Sequence, residues 1–228
     1  MYCALTIERV LWKVLHPSTP YQPSSSTYIN KEAILEYIKK CKTYDGGISI
    51  VPGLESHGGS YFTGLASLAI LNKTSEVFNS TEIQRLLDWG CKRQIGGMQG
   101  RCNKVEDTCY SFWVGGGLHL LSKYHAKKET SSSASEGVST LLKVDSLFDF
   151  IFSCHHQRFG GFAKVRGNNP DVLHTFYSLA SLSMLKADNH VFEEVDVLFG
   201  CGKEVGEWVV NDEVSYEELL KGRSLSDE

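Results

Sequence analysis

Two short segments hold the residue types best suited to chemistry. Asp107-Thr108-Cys109 offers a carboxylate and a thiol two positions apart, and Asp171-Val172-Leu173-His174 adds an imidazole. One carboxylate, one thiolate and one imidazole are all zinc ligands, and three protein ligands with a fourth position open is the catalytic rather than the structural zinc pattern. Such a set cancels the charge of the ion, so a thiol arriving as fourth ligand binds as thiolate near neutral pH. Arg101 and Lys104 lie on the segment leading into Asp107, and Lys164 on the segment leading toward His174. Together they make a cationic cluster of diphosphate size, arginine as a fork for phosphate oxygens and lysine as a point charge. Tyr110 could donate a hydrogen bond to a bridging or leaving oxygen. Spacing alone leaves ordinary readings open: an N-cap aspartate beside a buried cysteine, surface cations, a His57 bonded to its own turn, and Trp113, Phe112 and Tyr177 as core.

These residues must be carried by something. Asp107 and Asp171 read as N-caps, which places Cys109, Tyr110 and His174 in the first turns of two helices, and His57 before Gly58-Gly59 occupies a third such start. If those helices run roughly parallel, their free N–H groups and positive dipole ends face one rim, a prepared site for an anion. Double-glycine turns recur at Asp45-Gly46-Gly47, Gly96-Gly97 and Gly160-Gly161, a period that signals stacked supersecondary units. Between them, apolar residues at three- and four-residue steps predict amphipathic helices: Ile34, Leu35 and Ile38; Ile83, Leu86 and Leu87; Leu147, Phe148 and Ile151; Phe176, Leu179 and Leu182. Asn30 is placed to cap the first, Thr81 with Gln84 to form a capping box at the second, and Pro170-Asp171 to start the last.

A second set, Gly59 to Leu71 and Asp107 to Leu121, is rich in small residues. Gly115-Gly116-Gly117 inside a helix costs roughly 1 kcal/mol each relative to alanine, which close helix packing must offset. The expected architecture is therefore all-α, small-residue helices inside and charged amphipathic ones outside. Little supports strands. The Pro/Ser-rich stretch of about 16–28 and the Ser/Lys-rich stretch of about 122–140 read as loop insertions, and the acidic 188–228 as an extension of uncertain structure after a unit covering 1–187.

Bulk properties narrow the function. A formal charge of −4 over 228 residues gives no general reason to bind nucleic acid or anionic membrane. The seven scattered cysteines form no disulfide pattern and suit a reducing compartment. Without a long apolar run or a secretory signal at its start, the chain reads as soluble and cytoplasmic, with no transmembrane segment.

The ordered set Asp45-Gly46-Gly47, Gly53 to Gly59, Gly100-Arg101 through Trp113, and Gly160 through Tyr177 resembles the β subunits of protein prenyltransferases. The resemblance implies an α-α barrel (toroid) with one Zn2+ at the rim of a central aromatic-lined funnel, held by Asp107, Cys109 and His174. It implies diphosphate recognition by His57, Arg101, Lys104, Tyr110 and Lys164, with Lys164 and Tyr110 acting in catalysis and Trp113 and Thr63 near the isoprenoid. Farnesyltransferases have an aspartate where this chain has Lys164, ten residues before the histidine ligand, and it helps bind magnesium. Lys164 is the type I geranylgeranyltransferase residue, as Val114 and Leu173 also suggest, so magnesium should be dispensable. The implied reaction moves a geranylgeranyl group from its diphosphate to the cysteine of a C-terminal CaaX protein, such as a Rho-family GTPase, in a heterodimer with an α subunit. Tyr2-Cys3-Ala4 resembles the middle of a family helix, so an incomplete barrel is expected. A farnesyltransferase or type II β subunit and a non-catalytic module that binds the α subunit are the alternatives. A terpenoid cyclase is disfavoured because the chain has no aspartate-rich cyclisation motif.

Overall fold

The computed structural model describes residues 1–17, 19–21, 28–128, 137–185 and 192–211. Its helices are α1 (Tyr2–Leu15), α2 (Lys31–Lys40), α3 (Gly58–Leu71), α4 (Thr74–Val77), α5 (Ser80–Cys91), α6 (Thr108–Lys128), α7 (Val144–Ser153), α8 (Val172–Leu185) and α9 (Lys203–Val210). Neighbouring pairs in the order α1, α3, α6, α8 pack side by side as an inner row. Helices α2, α5 and α7 each bury one stripe, with Ile38, Ile83, Leu86, Leu147 and Ile151 all nearly inaccessible. α8 therefore belongs with the small-residue helices rather than with the outer amphipathic ones: Leu182 is buried, but Phe176 and Leu179 remain 44% and 41% exposed.

The glycine run of α6 lets large side chains close onto its backbone. A Cβ on Gly117 would lie 2.3 Å from the Tyr61 ring, and one on Gly116 would lie 3.1 Å from Phe62. Tyr61 is wholly buried and donates to the Leu86 carbonyl at 2.9 Å, so α3 and α5 are joined through the space that Gly117 leaves. The expected packing gain for these glycines is found.

The repeat is visible in backbone pairing. Each connection from an outer to an inner helix holds two antiparallel bridges: Lys42 with Ile48 and Ser49 with Ser56; Gln94 with Met98 and Gln99 with Glu106; His155 with Phe162 and Ala163 with Pro170. His57, Asp107 and Asp171 donate their N–H groups to Ile48, Met98 and Phe162 at 3.0, 3.1 and 3.3 Å. These three N-cap residues are thus equivalent positions of one repeated unit.

Several boundaries differ from expectation. The capping box of α5 is Asn79 with Glu82, because Asn79 meets the Glu82 N–H while Glu82 also reaches back to the Asn79 N–H. Asn30 caps α2 through the Ala33 N–H, as its position predicts. α6 continues through Ser122 to Lys128, into the stretch read as a loop, with Leu121 buried and Tyr124 packed against the core. Residues 129–136 of that stretch lie outside the described residues, as do 18 and 22–27 of the earlier one. Within the expected extension, Val195–Asp196 pairs with Cys201–Gly202 as a two-residue antiparallel ladder, and α9 follows. Val197, Trp208 and Val209 are buried there, so this segment is part of the folded unit up to residue 211.

Candidate metal and anion site

The starts of α3, α6 and α8 meet at one rim. Asp107 Oδ1 accepts from the Cys109 N–H at 2.9 Å and Asp171 Oδ1 from the His174 N–H at 2.9 Å, so both aspartates are N-caps as their positions predict. His57 caps α3 in the same way, its Nδ1 accepting from the Gly59 N–H at 3.0 Å. Capping fixes where the adjacent side chains point.

Asp107, Cys109 and His174 converge: their ligand atoms all lie within 4.8 Å of one another. Asp107 and Cys109 are buried, and His174 Nε2 lies 3.4 Å from Asp107 Oδ1. Tetrahedral bonds of about 2.0–2.3 Å put ligand atoms about 3.3–3.8 Å apart, so this trio fits a metal ion with little adjustment. The other imidazole nitrogen is occupied: His174 Nδ1 lies 2.6 Å from Asp171 Oδ2. A carboxylate there favours the proton on Nδ1 and leaves the Nε2 lone pair facing Asp107 and Cys109. Burial, and next the Asp107 hydrogen bond and charge, push the Cys109 thiol well up, with Lys164 opposing. A cation in the pocket is what would reverse that balance.

Lys164 Nζ stands 3.6 Å from Asp107 Oδ2, and the lysine side chain is half exposed toward the rim. Tyr110 Oη and His57 Nε2 are 3.1 Å apart. Because His57 Nδ1 accepts a hydrogen bond, the neutral ring carries its proton on Nε2, so Nε2–H donates to the phenol oxygen and leaves the phenol proton free. Burial, then the charge of Arg101, holds His57 below the usual histidine value, against the opposing effect of Glu55. The Tyr110 phenol is pushed up to about 12, chiefly by burial, so it stays a donor at neutral pH. Arg101 pairs with Glu55 across the rim, and Lys104 is exposed on the same loop.

A cavity of about 280 Å³ opens beside the rim, lined by His57, Thr63 and Trp113 together with Tyr37, Ile38 and Ile48. The metal trio is not among its lining residues. Trp113 is fixed by Tyr177, with ring centroids 4.5 Å apart, and by Phe62 at 5.4 Å. His57 is thus shared between an apolar cavity and a cationic rim. Sequence reasoning missed the bond of Asp171 to the His174 ring, for which an acid three residues before a helix-start histidine is the only signal. It also missed Glu55 as the partner of Arg101, which nothing short of the fold could reveal.

The sequence profile of the prenyltransferase alpha-alpha toroid domain matches residues 1–201. The geranylgeranyl transferase type-1 β subunit of Arabidopsis thaliana is 34% identical over 175 residues, which are 73% of this chain and 42% of that protein. Its counterpart from Dictyostelium discoideum is 37% identical over 155 residues, 68% of this chain and 39% of that protein. The type-2 β subunit of Saccharomyces cerevisiae is 32% identical over 173 residues, 75% and 48% of the two chains. The solved Candida albicans protein geranylgeranyltransferase-I complexed with GGPP superimposes with a TM-score of 0.72 at 22% identity, over 94% of this chain and 57% of that one. That likeness shows the toroid fold. The chain spans less than half the length of these curated relatives.

Proposed function

The chain belongs to the prenyltransferase alpha-alpha toroid family, and on that premise we propose that it acts as a β subunit of protein geranylgeranyltransferase type I. It works with an α subunit in the cytoplasm, and its substrates are geranylgeranyl diphosphate and proteins ending in a CaaX sequence. The observation that carries this reading is the convergence of Asp107, Cys109 and His174 with Lys164 3.6 Å from the shared carboxylate. The donor set suits Zn2+, one ion per chain. Zinc held there supplies a Lewis acid that keeps an incoming cysteine thiol as thiolate.

The protein's own residues handle the leaving group. The new C–S bond forms at C1 of the isoprenoid as the C1–O bond breaks, and the bonding pair leaves with diphosphate. Lys164, Arg101 and Lys104 offset the negative charge that grows on those oxygens, and Tyr110, kept protonated, donates to one of them. His57 fixes the phenol by donating to its oxygen. Arg101 exchanges Glu55 for the diphosphate when substrate arrives. With Lys164 supplying the charge that a carboxylate-bound magnesium would otherwise bring, magnesium is dispensable. Trp113 and Thr63 line the cavity that receives the isoprenoid chain.

The test is to co-express the 228-residue chain with an α subunit and assay transfer to peptides ending in leucine or serine, with and without magnesium. Transfer favouring leucine and surviving magnesium chelation is expected; a strict magnesium requirement or a preference for serine points to the farnesyltransferase reading. A second reading is a non-catalytic module that binds the α subunit. Complex formation with zinc bound and no transfer would support it.

A further inference from the structure

The repeated unit contains a junction that is built twice, and its two copies differ in the side chains that meet there. The residue after the His57 cap, Gly58, donates its backbone N–H to the Gly100 carbonyl of the next unit at 2.7 Å. The residue after the Asp107 cap, Thr108, donates to the Lys164 carbonyl at 3.0 Å in the same way. Each stitch holds the loop of one unit against the helix start of the unit before it. Gly58 has no room for more, because a Cβ there would meet the Tyr110 ring at 2.8 Å. At the second junction the residue equivalent to Tyr110 is His174, whose smaller ring leaves space for a side chain. Thr108 fills that space, is wholly buried, and donates its hydroxyl to the Ala163 carbonyl at 2.9 Å.

We propose that Thr108 is the positioning residue that joins the two halves of the metal and diphosphate site, setting where Lys164 and His174 stand relative to Asp107 and Cys109. The inference rests on the function proposed above. Asp107 caps α6 and Cys109 lies in its first turn, whereas Lys164 and His174 belong to the next unit. Two bonds from one residue, to consecutive carbonyls 163 and 164, fix that loop in rotation as well as distance. The loop is closed on its far side by Thr175, whose hydroxyl accepts from the Phe162 N–H at 2.9 Å, and by the Ala163–Pro170 bridge. A shift at residue 163 therefore passes through a tied turn to the Asp171 cap and to His174. With the hydroxyl removed, the Ala163 carbonyl loses its partner in a site where Ala163 has no solvent access, and the loop must move to satisfy it.

The experiment uses the full chain co-expressed with an α subunit and compares Thr108→Val with Thr108→Ser. Zinc affinity is measured by competition with a chelating dye, and cobalt is substituted to read the ligand field from its visible spectrum. Thr108→Val should lose about tenfold in metal affinity and alter the cobalt spectrum, and Thr108→Ser should restore both. In transfer assays Thr108→Val should also blunt the effect of Lys164→Ala on KM for the diphosphate, so that the two changes are not additive. A Thr108→Val protein with lower thermal stability but wild-type metal affinity, cobalt spectrum and Lys164 dependence overturns the proposal and leaves the proposed function standing. Thr108→Ala, which introduces no new contact, takes the place of valine if that variant does not accumulate. A wild-type heterodimer that binds neither zinc nor cobalt overturns the metal reading itself, and the positioning role with it.

Discussion

Asp171 serves His174 twice, with one oxygen on its backbone N–H and the other on its ring, and the two jobs can be separated by one substitution. In Asp171→Asn the amide oxygen can keep the cap, which leaves the NH2 facing Nδ1. An NH2 donor there favours the tautomer with its proton on Nε2, and a protonated Nε2 cannot ligate. We expect zinc affinity to fall about ten- to a hundredfold with little change in Tm, read by dye competition and thermal unfolding on the same sample. A second residue-scale expectation concerns Gly100, where a Cβ would lie 2.1 Å from the Tyr110 ring. Gly100→Ala must displace that ring from His57 and from the rim. KM for the diphosphate should rise severalfold while zinc content stays at the wild-type level, which steady-state kinetics and metal analysis will check. Both effects concern residues whose type was legible in the sequence. Asp107, Cys109 and His174 stood out by residue type at helix starts and, because spacing alone is a weak signal, chiefly through the resemblance to prenyltransferase β subunits. Glu55 and Thr108 did not, since an exposed acid and a threonine after an N-cap look like any others until the fold brings loop 100 and loop 163 beside them.

At the scale of elements, the inner helices are defined by what they lack. α3 and α6 approach closely enough for the Tyr61 ring to lie in the space left by Gly117, so Gly117→Ala trades about 1 kcal/mol of helix propensity for a collision at 2.3 Å. Overpacking of this kind costs about 1–3 kcal/mol, and the net result should be destabilisation, measured by urea unfolding of the heterodimer. An exposed-helix glycine would respond with the opposite sign. This contrast explains which elements could be read in advance. Outer helices such as α5 and α7 carry a one-sided apolar stripe whose period announces them. The inner helices are apolar on most sides, so their period is blurred and their role had to come from the small residues instead. α8 shows the limit: its Phe176-Leu179-Leu182 spacing imitates an outer stripe, but only Leu182 of the three is buried. The α5 cap was misplaced by two residues because Thr81-x-x-Gln84 and Asn79-x-x-Glu82 are equally good local patterns. The choice falls to Glu82, which also pairs with Lys42 at 2.7 Å across to the neighbouring connection.

Over the whole molecule, the chemistry gathers at the helix starts, and the middle of α6 carries a different burden. His119 lies there on the wall of a cavity of about 320 Å³, with Lys123, Asn72 and Asp196 around it. Among the described residues its Nδ1 has no hydrogen-bond partner. Burial, then the nearby Lys123 charge, lowers its pKa to about 4. An unfolded histidine titrates near 6.5, so below that value the unfolded chain takes up a proton that the folded one refuses. Stability contributed by neutral His119 is therefore complete above pH 6.5 and is lost as pH falls toward 4, about 2 kcal/mol of it between pH 7 and pH 5. Asp196 works in the other direction: burial raises its carboxyl, so the folded state holds its proton more tightly and that contribution fades as pH rises through the acid range. The two must be separated by mutation. His119→Gln, which has no charge to acquire, should flatten the fall in unfolding free energy between pH 7 and pH 5 by about 2 kcal/mol, and Asp196→Asn should leave the His119 component in place. Urea titrations at pH 7, 6 and 5 measure it, and a His119→Gln profile parallel to wild type would mean that the histidine is hydrated in the native state. Because His119 lies midway along α6, whose first turn carries Cys109, the same titrations followed by dye competition ask whether acid loosens the middle of the helix without disturbing the rim. Metal affinity that holds while stability falls would show that the N-terminal turns of α3, α6 and α8, tied by the bonds of His57, Thr108 and Asp171, keep their arrangement independently of the helix bodies below.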